Sequence, residues 1–447
     1  MPLSVWKSDE PDFRRRLSEL VGKLSLERGL QAAGAAAQEP PQQAVRRIIA
    51  DVRERGDEAL IEHTERLDGC KLTPADLRVT PEEIDAATRQ CPAELLEAMG
   101  LAAERIRAFQ EAILLRDPPA LTAGGRTLGL RHRPVDSAGI YVPGGAAPLA
   151  STVLMAVVPA RVAGVGRIAV TTPPQRDGSV SPDRLAAARI AGADEVYRIG
   201  GAQAIAALAF GTETVAPVDF IAGPGNIYTT LAKKEVFGQV GIEMLPGPSE
   251  VVILADGSAS PSYVAADLIA QAEHNPGSAI LLTDSEELAA ETLRAIEEQL
   301  GGLPRADVAQ ACLEAYGAVI VASSLDEAIK LTNELAPEHL EIMACDAAGV
   351  AERVRHAGAI FVGQWSPVAV GDYVAGPSHV LPTSRTARFS SGLTANDFLK
   401  RSSLISYEAR ALSEDAESVE RLAEAEGLSG HARSVRIRLK DGGKERQ

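Results

Sequence analysis

From Arg126 to about Gly363 the chain alternates short apolar runs with helical segments. This rhythm constrains the fold more than any other feature of its 447 residues. RIAVTT (from Arg167), EVYRIG and DFIAGPGN read as strands, and PDRLAAARIAG, AQAIAALAFG and IYTTLAKKEVFG as the helices between them. After Gly247 the rhythm restarts. EVVILAD, SAILLTD, GAVIVAS, EHLEIMA and GAIFVG read as strands. PSYVAADLIAQAEH, SEELAAETLRAIEEQL, SLDEAIKLTNEL and AAGVAERVRHAG read as helices. Such βαβ alternation implies parallel sheets with helices on both faces.

The flanks differ in texture. Residues 1–30 read as a short polar helix. QAAGAAAQEPPQQ, from Gln31, reads as a linker or cap broken by Pro40 and Pro41, and residues 42–115 are helical in pattern. RTLGLRHRPVDSAGIYVPGG, from Arg126, reads as a strand followed by a Gly-Pro turn. Beyond about residue 394 the chain is helical and charged and ends in HARSVRIRLK, a strand candidate. This tail is too small to bury a core and must pack on another part of the protein or on a second subunit.

The fold class expected is therefore α/β, with two doubly wound, incomplete Rossmann-like parallel-sheet domains. A helical N-terminal segment precedes them and a small C-terminal arm follows. The expected division is 1–30 for the N-terminal segment, 31–140 with 249–393 for the first α/β domain, 141–248 for the second, and 394–447 for the arm.

Charge narrows the function. Lys and Arg number 45 against 61 Asp and Glu, a formal net charge of −16. That balance is a poor match for nucleic acid or an anionic membrane, so small molecules are the expected partners. The four cysteines (Cys70, Cys91, Cys312, Cys345) are far apart and form no CxxC pair, which fits a reducing compartment. The apolar stretch from Leu149 is broken by Pro159 and Arg161 and is too short to span a bilayer. A cytoplasmic location is expected.

Several constellations could carry chemistry. Gln271 and His274 share a helix face in AQAEH and could hold one metal ion, although alone they also read as a polar helix terminus. Glu338 and His339 offer two bases of different pKa at a loop-to-strand junction, or a solvated loop pair. Asp372 and His379, in GDYVAGPSH, follow a strand, and the carboxyl end of strands is where open α/β sheets bind ligands. Both are good zinc ligands, and Asp is equally a turn former. Glu426 and His431 lie in the tail, where a solvated helix end is the plainer reading. LPGPSE would place Ser249 near a ligand. YVPGG at Tyr141 and GPGN at Gly223 resemble turns that cradle an anion at a helix N-terminus, and each is equally compatible with ordinary turn chemistry. Neither is GxGxxG.

Taken together, these segments resemble the histidinol dehydrogenase family. The resemblance runs from about residue 30 to the C-terminus. It rests on GIEMLPGPSEVVILADGSASPSYVAADLIAQAEH (Gly241–His274), GGAQAIAALAFGT at Gly200, AGPGN at Ala222, APEHLEI at Ala336 and GDYVAGPSHVLPT at Gly371. It implies one zinc per subunit held by Gln271, His274, Asp372 and His431, and an acid/base pair of Glu338 and His339. These residues, with Ser249, His379 and Glu426, would line the substrate site, and Tyr141, Gln203 and Asn226 would contact NAD. It further implies a homodimer in which the C-terminal arm crosses to the partner. The implied reaction is the four-electron oxidation of L-histidinol through L-histidinal to L-histidine, the last step of histidine biosynthesis.

This sequence departs from the family pattern where Glu243 and Leu245-Pro246 stand before GPSE, in place of the frequent Asp-x-Pro-Ala. Two other readings compete. One is a family member oxidising another small alcohol, such as a sulfonated diol. An anionic substrate would want Arg where this chain has Glu426. The other is a non-catalytic two-domain small-molecule binder, which has no need of both Glu338 and His339.

Overall fold

The computed structural model describes residues 3–23, 39–144, 149–274 and 277–441. Residues 31–38 of the linker read from Gln31, and Gly145 of the YVPGG turn, lie outside the described residues, while Pro41–Gln43 of that linker open the helix Pro41–Arg55. The chain divides into two units, one of Met1–Ile113 and Val135–Phe398, the other of Leu114–Pro134 and Leu399–Gln447.

Strands are numbered along the chain. In the first unit they are β1 (Ser4–Lys7), β4 (Ser137–Tyr141), β5 (Arg167–Thr171), β6 (Glu195–Tyr197), β7 (Phe220–Ala222), β8 (Gly241–Ile242), β9 (Ser249–Ala255), β10 (Gly277–Thr283), β11 (Ala318–Val321), β12 (His339–Met343) and β13 (Ala359–Val362). In the second they are β2 (Leu121–Ala123), β3 (Arg126–Pro134) and β14 (Leu399–Tyr407).

The first unit holds two parallel sheets, in the orders β6-β5-β4-β7-β8 and β1-β11-β10-β9-β12-β13. The α/β architecture expected from the alternation is present. Within the six-stranded sheet the pleat sorts side chains between two cores. Val251, Ile253, Leu281 and Val319 enter one, and Val252, Leu254, Ile280, Leu282, Leu340 and Ile342 the other. Strands buried on both faces need no polar alternation, which is why they read as continuous apolar runs. The helices Pro41–Arg55 and Asp57–Asp68 join the core of the five-stranded sheet, through Val45, Ile48, Val52 and Leu60.

The N-terminal segment is more than a polar helix. β1 pairs in parallel with β11 as an edge of the six-stranded sheet. The helix Phe13–Lys23 follows it and buries Phe13, Leu17 and Leu20, one face at helical spacing.

In the second unit β14 pairs antiparallel with β3 from Leu399↔Pro134 to Tyr407↔Arg126, and β2 covers the other side of β3. The helices Ala409–Ala425 and Ser429–Asp441 follow. HARSVRIRLK is therefore helical, a correction to the strand reading. Its alternating Val435, Ile437 and Leu439 mimic a strand, yet the residues that become buried are Ala432 and Val435, three apart. Arg436 then reaches back to Glu420 at 2.5 Å and to Glu424. The strand that does exist, β14, lies in the stretch read as helical. Arg126 of β3 ties down the helix that follows β14 through Asp415, at 2.8 and 2.7 Å.

Phe13 is 1% exposed. Phe13→Ala should therefore cost about 3–5 kcal/mol of stability, read as a lower urea midpoint. An unchanged midpoint would mean that this helix is dispensable to the core.

Candidate functional site

The helix Leu325–Leu335 ends at Ala336 in a left-handed conformation (φ +47°), and Pro337 cannot continue it. Glu338 is thereby set at the amino edge of the six-stranded sheet, with His339 as the first residue of β12. β9 lies alongside, Val251 opposite His339, so Ser249 and Glu250 reach the same edge. Glu338 Oε2 accepts a hydrogen bond from the Glu250 backbone N–H at 2.8 Å. His339 Nδ1 lies 3.0 Å from the Glu250 carbonyl oxygen. A carbonyl only accepts, so Nδ1 carries the hydrogen and Nε2 keeps its lone pair. Nε2 is buried without a hydrogen-bond partner, and Asp372 Oδ1 stands 3.9 Å from it.

The helix Pro261–Ala272 runs back from the carboxyl end of β9 and returns Gln271 to this edge. Its amide Nε2 donates to Ser249 Oγ at 3.1 Å. Asp372 arrives on the helix Val368–Tyr373, which follows β13 after a turn. The GDYVAGPSH segment was expected at the carboxyl end of a strand. That placement is corrected: the chain doubles back after β13, and Asp372 and His379 meet the amino edge beside His339. His379 Nδ1 donates to the Asp372 carbonyl oxygen at 3.0 Å, and its Nε2 accepts from Thr152 Oγ1 at 3.2 Å. His274 is exposed and close enough that its charge opposes that of His379. His339, Asp372 and His379 line a cavity of about 600 Å³, walled on its apolar side by Phe109, Phe361 and Leu381. Glu426 and His431 belong to the second unit. There they are exposed, one at the end of the helix Ala409–Ala425 and the other in the first turn of Ser429–Asp441.

Burial dominates the electrostatics. It pushes the Glu338 carboxyl up to about 8, with the Asp372 charge adding to the effect and the Glu250 N–H and Ser249 opposing it. Burial, and then the Glu338 charge, push Glu250 up to about 8 against the Ser384 N–H, which donates to Oε1 at 2.7 Å. Burial lowers His339, against Asp372 and the Glu250 carbonyl, and so favours the neutral imidazole. Sequence reasoning missed Glu250, whose only signal was a charge heading an apolar strand. It also missed Glu341, two residues beyond His339 and on the same face of β12. Glu341 Oε1 accepts from the Val368 N–H at 2.6 Å and so anchors the helix that carries Asp372. Burial, with the Asp267 charge second, raises the Glu341 carboxyl well above the usual range.

The donors Gln271, His274 and Asp372 (an amide oxygen, an imidazole and a carboxylate) suit zinc in kind. They fall short in number. Among the described residues no three His, Cys, Asp or Glu side chains group closely enough to hold a metal ion.

Tyr141, Gln203 and Asn226 come together on a second cavity, of about 1370 Å³. It opens at the carboxyl ends of the five-stranded sheet. There the strand order reverses between β4 and β7, a topological switch point. The Gly201 N–H donates to the Tyr141 hydroxyl at 3.2 Å. The Gln203 side chain is fully buried, and neither its amide nitrogen nor its oxygen has a partner. A buried amide left unpaired is costly, so its place on the cavity wall points to a polar ligand. Asn226 caps the helix Ile227–Val236 and accepts from the N–H groups of Tyr228 and Thr229 at 3.0 and 3.2 Å. Among the described residues its amide nitrogen takes no partner, and it lies beside a helix N-terminus.

Comparison with known proteins agrees with this geometry. Residues 32–439 match the family model described as histidinol dehydrogenase. A histidinol dehydrogenase of Synechococcus sp. is 54% identical over 395 residues, 88% of this chain and 91% of the relative. That of Geobacillus kaustophilus is 50% identical over 96% of this chain and 100% of its own length. The crystal structure of histidinol dehydrogenase from Elizabethkingia anophelis superposes with a TM-score of 0.91 at 35% identity and covers 99% of both chains.

The raised carboxyl of Glu250 has a consequence for stability. A buried acid raised from 4.5 to about 8 contributes stability that is fully present below pH 4.5 and is lost as pH rises through 8. Glu250→Gln, which keeps an acceptor for Ser384, escapes that loss. Its thermal midpoint should match the wild type at pH 4.5 and exceed it by roughly 2–6 °C at pH 9. A constant difference across this range would contradict a neutral buried Glu250.

Proposed function

The chain belongs to the histidinol dehydrogenase family, an oxidoreductase family, and from that premise we propose that it oxidises L-histidinol through L-histidinal to L-histidine. The balance is one alcohol, one water and two NAD⁺ giving one carboxylate, two NADH and three protons. The observation that carries this reading is His339, a buried imidazole that lines a cavity beside Asp372 and whose Nε2 has no hydrogen-bond partner among the described residues.

When bound, zinc would supply a Lewis acid to the substrate and NAD a hydride acceptor. Gln271, His274 and Asp372 would hold the metal, with His431 supplied by the exchanged arm of a second copy. Exposed Leu404, Ile405, Leu422 and Ile437 in the second unit support such an arm, since a partner surface would cover them. His339 Nε2 takes the alcohol proton, because its tautomer is set by the Glu250 carbonyl. Glu338, once deprotonated, takes a proton from the water that adds to the aldehyde, and His339 serves again as base in the second oxidation. Ser249 and His379 orient the substrate, together with Glu426 supplied, like His431, by the arm of a second copy. Asp372, Glu338 and that Glu426 make an acidic setting suited to its ammonium group. Tyr141, Gln203 and Asn226 hold NAD, and the unpaired amide of Gln203 supports a polar ligand there. No described helix is long and apolar enough to cross a membrane, which is compatible with work in the cytoplasm.

NADH formation from histidinol should stop with a chelator and return with zinc, and a sulfonated diol should give none. Full activity in metal-free protein would sink the zinc assignment. His339→Ala should lose about 10²–10⁴-fold in turnover while its zinc content stays near that of the wild type. Zinc loss in that variant would mean that base and ligand roles are misassigned.

A further inference from the structure

Glu243, in the segment between β8 and β9, forms with Lys233 of the helix Ile227–Val236 a buried ion pair that no step of the chemistry uses. Lys233 Nζ and Glu243 Oε1 lie 2.6 Å apart, and each side chain is 1% exposed. Both hold the same residue. Lys233 donates to the Gly223 carbonyl oxygen at 3.1 Å, and Glu243 Oε1 accepts from the Gly223 N–H at 2.7 Å. Gly223 opens the GPGN turn that ends at Asn226. It takes φ +123°, and a Cβ there would sit 2.0 Å from the Tyr141 carbonyl oxygen, so the turn lies directly against Tyr141.

The segment is tied at its other end to the catalytic edge. The Pro246 carbonyl accepts from Thr230 Oγ1 at 2.9 Å, and the Gly247 N–H donates to Thr383 Oγ1 at 2.6 Å. Ser249 follows, and then Glu250, whose N–H holds Glu338. Buried ion pairs seldom stabilise a fold more than an apolar pair of similar volume would. The value of this one therefore lies in what it positions.

We infer that Lys233 and Glu243 are positioning residues for the cofactor. They clamp both backbone polar groups of Gly223 and so hold the Gly223–Asn226 turn in register with the segment that leads to Ser249 and Glu250. The inference rests on the assignment of the Tyr141–Gln203–Asn226 cavity to NAD. It also gives meaning to the departure at Glu243, whose carboxylate reaches Gly223 and Lys233 at once.

Each single neutral variant strands a buried charge, so the test uses neutral pairs in the full-length protein. Lys233→Met with Glu243→Leu should keep the wild-type circular dichroism spectrum while raising KM for NAD, and Kd for NADH by fluorescence, about tenfold. KM for histidinol should stay within twofold. Lys233→Met with Glu243→Gln restores an acceptor for the Gly223 N–H and should recover part of that loss. The clamp is overturned if the folded Lys233→Met, Glu243→Leu pair binds NAD within twofold of the wild type, if the Glu243→Gln pair recovers none of the loss, or if KM for NAD and for histidinol rise in the same proportion. Asn226→Ala separates the two layers of the argument. If that variant, too, binds NADH like the wild type, the cavity assignment itself fails and takes the clamp with it.

Discussion

Two carboxyl groups and an imidazole share the amino edge of β9 and β12 with almost no water, and much of the molecule answers to that constraint. An unpaired charge so placed costs several kcal/mol, so each group is met by backbone. Glu338 accepts the Glu250 N–H, Glu250 accepts the Ser384 N–H, and His339 donates to the Glu250 carbonyl. These are groups of fixed direction, which set orientation and tautomer together. Groups held this way need no reorganisation when a ligand arrives.

The two sheets of the first unit divide the work by using opposite edges. The five-stranded sheet follows the usual rule of open α/β folds and opens its cavity at the carboxyl ends, at the β4/β7 switch point. The six-stranded sheet works from its amino edge. Polar residues there can head strands that are otherwise mostly apolar, as Ser249 heads β9 and His339 heads β12. Helices that pack antiparallel to their strands deliver their last turns to this edge, and Gln271 arrives by that route.

Legibility in the sequence followed burial. β9, β10 and β12 were readable because burial on both faces leaves long apolar runs. β1 was not, because SVWK is a four-residue edge strand whose residues are mostly exposed. β14 was not, because LKRSSLISY forms a polar antiparallel ribbon and carries no core signature. The tail was misread because strict alternation over Val435, Ile437 and Leu439 has a strand period, while its actual partners, Glu420 and Glu424, lie in the preceding helix. The candidate site residues were singled out through motif order. Local spacing could not have joined Ser249, Glu338 and Asp372, which are distant in sequence and come to one edge because β9 and β12 are neighbours and the helix Val368–Tyr373 doubles back after β13.

Glu341 shows why the groups beneath the site escaped notice. In sequence it is one acidic residue inside EHLEIM, which reads as the polar position of a strand. In the fold it is 1% exposed, and its Oε1 receives the Val368 N–H. Its other oxygen meets no donor that is always protonated, and the neighbouring carboxyl of Asp267 is itself raised by burial. Two acids placed so closely are held most cheaply with a proton between them. The Val368 N–H bonded to Glu341 fastens the helix Val368–Tyr373 to β12, and Asp372 of that helix lines the cavity. No spacing rule reveals this tie, because it depends on which residues lose their water.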